Sequence, residues 1–268
     1  MCRKVGGSVK VLAIIPARAG SKSVPHKNIR IIGGKPMLAH SIEHALQSIY
    51  INRVIVSTDS EEYAQIAREY GAEVPFIRPA EYATDTALDY DVFYHALTWL
   101  KEQEGYEPDI VVQLRPTYPI RDVNDIDNMI QILMNNPEAD SVRSMAKAME
   151  IPYKMWLCEG RDAEDDSNVR DNAKNVNKDK EEFLRGTIMQ PLMTDIKECY
   201  NMPRQALPVA YYQNACIDVF RPRAVLEKQS MSGDVILGYE MVENFDIDTE
   251  EDFERAMQRL EDKELANN

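Results

Sequence analysis

The chain has 268 residues and a formal charge of −14, enough length to bury the core of one large α/β domain without disulfide or metal support. A surface this acidic excludes nucleic acid and anionic membranes as main partners, because both reward a basic face. A small anionic ligand in one local basic pocket stays compatible with it.

Taken in order, residues 9–16, aliphatic without a break from Val11 to Ile15 and closed by Pro16, predict a strand buried on both faces. The run is too short for a signal h-region and no cleavage site follows, so a cytoplasmic address is expected. The next stretch, Ile15-Pro16-Ala17-Arg18-Ala19-Gly20-Ser21-Lys22-Ser23-Val24-Pro25-His26-Lys27-Asn28, carries three cations of Arg and Lys type. No acid occurs before Glu43. Positive charge gathered where an apolar strand gives way to a small-residue turn predicts an anion site of phosphate type.

Gly33-Gly34-Lys35-Pro36 predicts a turn leading into a helix, with Pro36 in its first turn and Met37, Leu38, Ser41, Ile42, Ala45, Leu46 and Ile49 at helical spacing. Further strands are expected over 53–59, 74–77, 109–114, 139–145 and 214–220. Helices are expected over 60–70, 89–104, 123–135 and 249–260, the last with Thr249 as N-cap. The alternation implies a Rossmann-like α/β fold, a mostly parallel sheet with helices on both faces. In such sheets ligands bind beyond the carboxyl ends of the strands, where Arg18, Asp59, Arg78 and Arg115 fall. No G-x-G-x-x-G follows any strand, against a dinucleotide cofactor held in the usual way. Residues 161–182 are rich in Asp, Asn and Lys and read as a solvated excursion.

Cys2, Cys158, Cys199 and Cys216 are scattered without a C-x-x-C pair, so neither structural zinc nor a redox motif is expected. His40 and His44 stand i, i+4 on a helix, but no Glu follows His40 and no third ligand is visible; structural histidines are the better reading. No apolar run of about 20 residues, the length of a membrane span, occurs. Asp246 and Asp248 stand at i, i+2 on an extended segment, which puts both carboxylates on one face, where they can hold a hard cation such as Mg²⁺; a solvated acidic surface is the plain alternative.

The opening loop, together with Arg78-Pro79-Ala80-Glu81-Tyr82-Ala83-Thr84-Asp85-Thr86-Ala87, Leu114-Arg115-Pro116-Thr117-Tyr118-Pro119-Ile120-Arg121 and Phe245-Asp246-Ile247-Asp248-Thr249-Glu250-Glu251-Asp252, resembles the acylneuraminate cytidylyltransferase family, the CMP-sialic acid synthetases. The four motifs keep the family's order across nearly the whole chain. The resemblance implies a nucleotide-diphospho-sugar transferase fold in one domain over 1–268, with 153–208 as a dimerisation and substrate-capping excursion, and a homodimer. It implies transfer of CMP from CTP to the anomeric hydroxyl of a nonulosonic acid, an acidic nine-carbon sugar.

By the same resemblance Ala17, Arg18, Ser21, Lys22, Lys27, Asn28, Arg78 and Thr86 contact the nucleotide. Arg115, Lys154, Arg204 and Asn214 face the sugar, Asp246 and Asp248 hold Mg²⁺, and Arg18, Lys22, Asp246 and Asp248 form the catalytic set. Arg204 would meet the sugar carboxylate with two hydrogen bonds, which suits a guanidinium. Three departures from the family pattern stand out: Arg115 in place of a common Gln, Tyr118 in place of Ser, and Ala215 in place of a usual Gly. They leave the acyl sugar open. The eight-carbon sugar KDO is the alternative acceptor, although the loop reads Ser-Lys-x-x-Pro-x-Lys-Asn rather than the Ser-Thr-Arg-Leu-Pro-x-Lys-Pro of that branch. A catalytically inactive nucleotide-binding regulatory subunit is the alternative of another class.

Overall fold

The computed structural model describes residues 9–20, 24–158, 188–242 and 245–267. The chain divides into two compact units, Met1–Ala146 with Gln213–Asn268, and Lys147–Tyr212. The stretch 153–208 falls inside the second.

Strand β1 (Val11–Pro16) is the centre of the first unit, and Val11 to Ile15 have no exposed surface. Each such side chain contributes roughly 1.5–3 kcal/mol by leaving water. Alternation along the strand sends Val11, Ala13 and Ile15 into one core cluster and Leu12 and Ile14 into another. Helices α1 (Met37–Gln47), α2 (Glu61–Glu69) and α4 (Val123–Asn135) cover the first cluster through Leu38, Ile42, Tyr63, Ala67, Ile126 and Ile130. The other face takes α3 (Asp89–Glu104) through Phe93, Ala96, Leu97 and Leu100, and the short α5 (Pro222–Leu226) through Val225.

Six strands form the sheet, in the order β10-β6-β9-β5-β1-β4. Here β4 is Arg53–Ser57, β5 Ile110–Leu114, β6 Ser141–Lys147, β9 Tyr211–Phe220 and β10 Ile236–Glu240. β1 runs parallel to both β4 and β5, β10 is parallel to β6, and β9 alone is antiparallel to β5. The chain leaves β1 for β4 by way of α1 on one face and reaches β5 by way of α3 on the other. The strand order therefore reverses beside β1, between the loops that follow β1 and β5, which is where sheets of this kind place their ligands.

The mostly parallel sheet with helices on both faces is as expected, and α3 and α4 keep the expected bounds. The strand expected over 74–77 does not form. Only Glu73 bridges to Ile55, and Pro75 has no N–H with which to continue the ladder. Pro36 ends a two-stranded hairpin, β2 (Ile31–Ile32) with β3 (Lys35–Pro36), and so precedes α1 instead of entering it. Gly33 and Gly34, both at positive φ, make its turn. β10 is not among the elements expected from the sequence: its residues are half exposed at the sheet edge, and its short apolar run is interrupted by Gly238.

Helix α6 (Glu250–Asn267) closes the first unit. Thr249 Oγ1 accepts from the Asp252 N–H at 3.2 Å while the Asp252 carboxylate accepts from the Thr249 N–H at 3.0 Å, a reciprocal cap. Its apolar side, with Phe253 and Ala256, packs on Ile32, Met37 and Ile247.

The second unit holds an antiparallel pair, β7 (Trp156–Cys158) with β8 (Met189–Pro191), around a small core of Ile151, Cys199 and Leu207. The solvated excursion expected over 161–182 lies outside the described residues.

Candidate active site

Three parallel strands deliver the site's polar residues to one edge. After β1, the Ala17 N–H bonds the Ser57 carbonyl at 2.9 Å and the Ala19 N–H bonds Asp59 Oδ1 at 2.9 Å, so the end of β4 holds the opening loop in place. Asn28 closes the loop from its far end, where its buried amide donates to the Arg18 carbonyl at 2.9 Å. Arg18 reaches outward to Asp85 at 2.8 Å, with both side chains partly exposed. Ser21 and Lys22, expected at the phosphates, lie outside the described residues.

The loop meets the acidic pair through Lys27. Its Nζ donates to the Ile247 carbonyl at 2.9 Å and stands 3.3 Å from Asp248 Oδ1. Arg30 extends the same seam, pairing with Glu250 at 2.5 Å and lying over the Phe253 ring at 4.0 Å. Segments far apart in sequence are thus joined at their charged ends. From the β5 side, the Ile247 N–H bonds the Thr117 carbonyl at 3.0 Å, which fixes Asp246 and Asp248 against the loop that follows β5.

Asp246 is half-buried and Asp248 exposed. Burial pushes the Asp246 carboxyl above the ordinary carboxylate range and Asp248 adds to the effect, against hydrogen bonds from the Thr117 and Tyr118 hydroxyls and the charge of Lys27. Asp246 Oδ1 is buried and has no hydrogen-bond partner. An anionic oxygen held without a donor beside a second carboxylate suits a hard cation, so the donor set fits Mg²⁺. Among the described residues no group of three or more His, Cys, Asp or Glu side chains converges, so such an ion would complete its shell from phosphate and water.

The remaining expected positions differ in what is left free. The buried Arg78 guanidinium donates to Ser57 Oγ at 3.0 Å, to the Ser57 carbonyl and to the Tyr82 carbonyl at 3.4 Å, and burial lowers its pKa to about 10. It ties the segment after β4 to the strand end. Thr86 is exposed, with Thr84 Oγ1 at 3.4 Å from its hydroxyl. Arg115 pairs with Asp89 at the start of α3, and Gln113 donates to the same Asp89 oxygen at 3.2 Å.

Asn214 is spent inside the sheet. Its Oδ1 accepts from Ser144 Oγ at 2.5 Å and from the Cys216 N–H at 3.2 Å, and its Nδ2 faces Met241 Sδ at 3.7 Å. This side-chain bonding stands in for the ladder where Ala215 turns left-handed at φ 57. In the second unit, Lys154 Nζ donates to the Tyr200 carbonyl at 3.3 Å, and Arg204 donates to the Ala148 carbonyl at 3.3 Å and to the Met149 carbonyl.

Sequence reasoning missed Asp89 and Arg121. Buried Arg121 donates to the Arg115 carbonyl at 3.0 Å and the Cys216 carbonyl at 2.9 Å, locking the loop after β5 to β9. Arg121 stood in the quoted motif, but nothing in its spacing separates a buried clamp from a surface charge. His40 is structural, with Nε2 at 2.9 Å from the Ile32 carbonyl.

Comparison with known proteins now adds to this geometry. A model of a family described as Cytidylyltransferase matches residues 12–266. The chain belongs to that cytidylyltransferase family. It is 42% identical over 126 residues to CMP-N,N'-diacetyllegionaminic acid synthase of Legionella pneumophila, a match covering 46% of this chain and 53% of that protein. The match spans about half the length of that relative. Post-translational flagellin modification protein B of Campylobacter coli is 30% identical over 258 residues, covering 96% of this chain and 97% of that protein. Among solved structures, CMP:2-keto-3-deoxy-manno-octonic acid synthetase complexed with CTP superposes with a TM-score of 0.64 at 16% identity, covering 95% of this chain and 99% of that one, a likeness of fold.

Proposed function

We propose that this cytidylyltransferase joins CMP from CTP to the anomeric hydroxyl of a nonulosonic acid, of sialic, legionaminic or pseudaminic type, releasing pyrophosphate. The observation that carries the reading is the seam at Lys27, which brings the cationic loop after β1 against the pair Asp246 and Asp248. Relatives named for legionaminic, sialic and pseudaminic acid chemistry support the acceptor class.

In this scheme the anomeric oxygen forms the new bond to the α-phosphorus, the bond from that phosphorus to the bridging oxygen breaks, and pyrophosphate leaves with the electron pair. The hydroxyl proton passes to a carboxylate of the pair Asp246 and Asp248 or to water. Arg18 and Lys22 offset charge growing on the departing phosphates, which is where most stabilisation in phosphoryl chemistry must come from. Asp246 and Asp248 would hold Mg²⁺, which when bound would supply Lewis acidity at the phosphates. Arg115, held by Asp89, would offer its remaining N–H groups to the sugar's oxygens. Lys154 and Arg204 supply the sugar contacts of the second unit. By the resemblance we further propose a homodimer built through residues 153–208 and a cytoplasmic address. No described helix is long and apolar enough to cross a membrane.

Purified protein with CTP, Mg²⁺ and a panel of nine-carbon acids releases pyrophosphate and forms a CMP-sugar identifiable by mass spectrometry. Silence across the panel overturns the reading, and turnover of KDO alone transfers it to the eight-carbon branch. Chelation by EDTA abolishes turnover; undiminished activity would remove the metal from the scheme. A solution mass of one chain overturns the dimer.

A further inference from the structure

Lys27 is shared by the two charged halves of the site. Its backbone lies in a tight turn, where the Lys27 N–H bonds the Val24 carbonyl at 3.1 Å and the Arg30 N–H bonds the Lys27 carbonyl at 3.3 Å. Asn28, the next residue, ties that turn to the loop after β1 through the Arg18 carbonyl at 2.9 Å. On the far side Arg30 pairs with Glu250 at 2.5 Å and fixes the turn to the start of α6. The main chain at Lys27 is therefore held between the loop after β1 and the acidic pair, and what is left to move is the flexible stem of the side chain.

The ammonium at the end of that stem is turned toward the acids. It donates to the Ile247 carbonyl at 2.9 Å and to Asp248 Oδ1 at 3.3 Å. The Lys27 side chain is 12% exposed, whereas that of Asp248 is 71% exposed. The ammonium is thus seated in protein, while the carboxylate it neutralises faces the solvent from which a cation arrives. Asp246 Oδ1, by contrast, is buried without a partner. One carboxylate of the pair has its charge balanced from within the chain, and the other keeps a bare oxygen.

We propose that Lys27 is the resident counter-ion of the acidic pair, and that CTP draws its ammonium from Asp248 to the phosphates, so that the pair binds a divalent cation tightly only once nucleotide is present. The proposal rests on the assignments made above, of Asp246 and Asp248 as metal ligands and of the loop after β1 as the phosphate site. A divalent cation on Asp248 and an ammonium 3.3 Å from the same carboxylate oxygen repel each other, and the burial of Lys27 leaves little water to screen them. The contact is also readily given up. An ammonium gains little from an exposed carboxylate at this separation, and a triphosphate offers it several charges. Lysine suits such an exchange because its charge is compact and its stem flexible, whereas a guanidinium prefers one fixed, two-pronged partner. One side chain thereby couples the two sites.

The test is binding of Mn²⁺, a spectroscopic stand-in for Mg²⁺, followed by electron paramagnetic resonance on the whole chain, first without nucleotide. Lys27→Met keeps the stem and removes the charge. Without CTP, K27M is expected to bind Mn²⁺ about 10-fold more tightly than wild type, within the usual range of coupling between two sites. Lys27→Arg, which keeps the charge, shows no such gain, and in an Asp248→Asn background K27M adds nothing. With CTP bound the gain of K27M disappears, because the wild-type ammonium has by then left Asp248. No gain in nucleotide-free K27M overturns the proposal, as does an equal gain in K27R or a gain of the same size with and without CTP. The metal assignment is judged separately, on the Mn²⁺ signal of the protein–CTP complex. Undiminished affinity there in both D246N and D248N overturns that assignment; affinity lost there, with no gain in nucleotide-free K27M, overturns the counter-ion proposal alone. Lys27→Gln repeats the measurement if K27M does not fold, and failure of both to fold makes Lys27 a structural ion-pair partner and overturns the proposal.

Discussion

Arg18 and Asp85 meet at 2.8 Å on partly exposed side chains, and this pair occupies a cation that the proposed reaction needs for phosphate. An exposed pair of this kind is worth roughly 0–1 kcal/mol. Asp85→Asn is therefore expected to lower the KM for CTP by up to about fivefold while leaving stability within about 0.5 kcal/mol; steady-state kinetics and urea unfolding check both. Ala215 poses the opposite problem. An alanine at φ 57 bears a left-handed penalty of roughly 1–2 kcal/mol, partly offset because glycine loses more entropy on folding. Ala215→Gly should gain about 0.5–1 kcal/mol in urea unfolding. The turn persists without glycine because Asn214 and Ser144 give the Cys216 and Ile217 N–H groups their partners.

Where elements join, the start of β6 is held by one carboxylate. Asp140 is fully buried and receives Arg223 from α5 at 2.8 Å, Lys228 at 2.6 Å and the N–H groups of Asp234 and Val235 at 2.8 and 3.2 Å ahead of β10. Burial alone would raise its pKa, but these hydrogen bonds together outweigh it and hold the carboxyl well below the ordinary range. Gly233 is part of the same joint: a Cβ there would stand 2.3 Å from the Asp140 Cβ. Asp140→Asn is expected to cost about 1–3 kcal/mol at neutral pH, since an uncharged amide at this buried position accepts fewer and weaker hydrogen bonds, while Arg223 and Lys228 keep partial access to water. The sign with pH follows from the depressed folded pKa. The wild-type advantage is complete above the ordinary carboxylate range and shrinks as pH falls through it toward the folded value, so the two proteins converge in acid. Unfolding midpoints of both across pH 7 to pH 2 measure this.

At the scale of the whole molecule, stability is unevenly spread between the two units. The first contains both large clusters on the faces of the sheet, whereas the second gathers Ile151, Cys199 and Leu207. Local opening follows buried apolar contact. Amides of 188–212 are thus expected to exchange hydrogen well before those of β1 and β5 under native conditions, and uniform protection across both units would contradict this. The sequence by itself determined the alternation of strands and helices, because a strand buried on two faces writes an unbroken aliphatic run, as in Val11 to Ile15. It also showed that cations collect in the loop after β1 before the first acid, whereas the spacing of Asp246 and Asp248 left a cation pair and a solvated surface both open and the resemblance pointed to the metal. Only the tertiary structure decided what each polar residue has left to offer. Arg78 and Asn214 read like Arg18 in a one-dimensional pattern, yet their donors are spent on Ser57 and Tyr82 and on Met241. The joining of Lys27 to Ile247, of Arg115 to Asp89 and of Tyr118 to the Asn214 carbonyl depends on which loops the sheet order brings to one edge. Hydrogen bonds act over about 3 Å and have no period along the chain, so no sequence pattern records them.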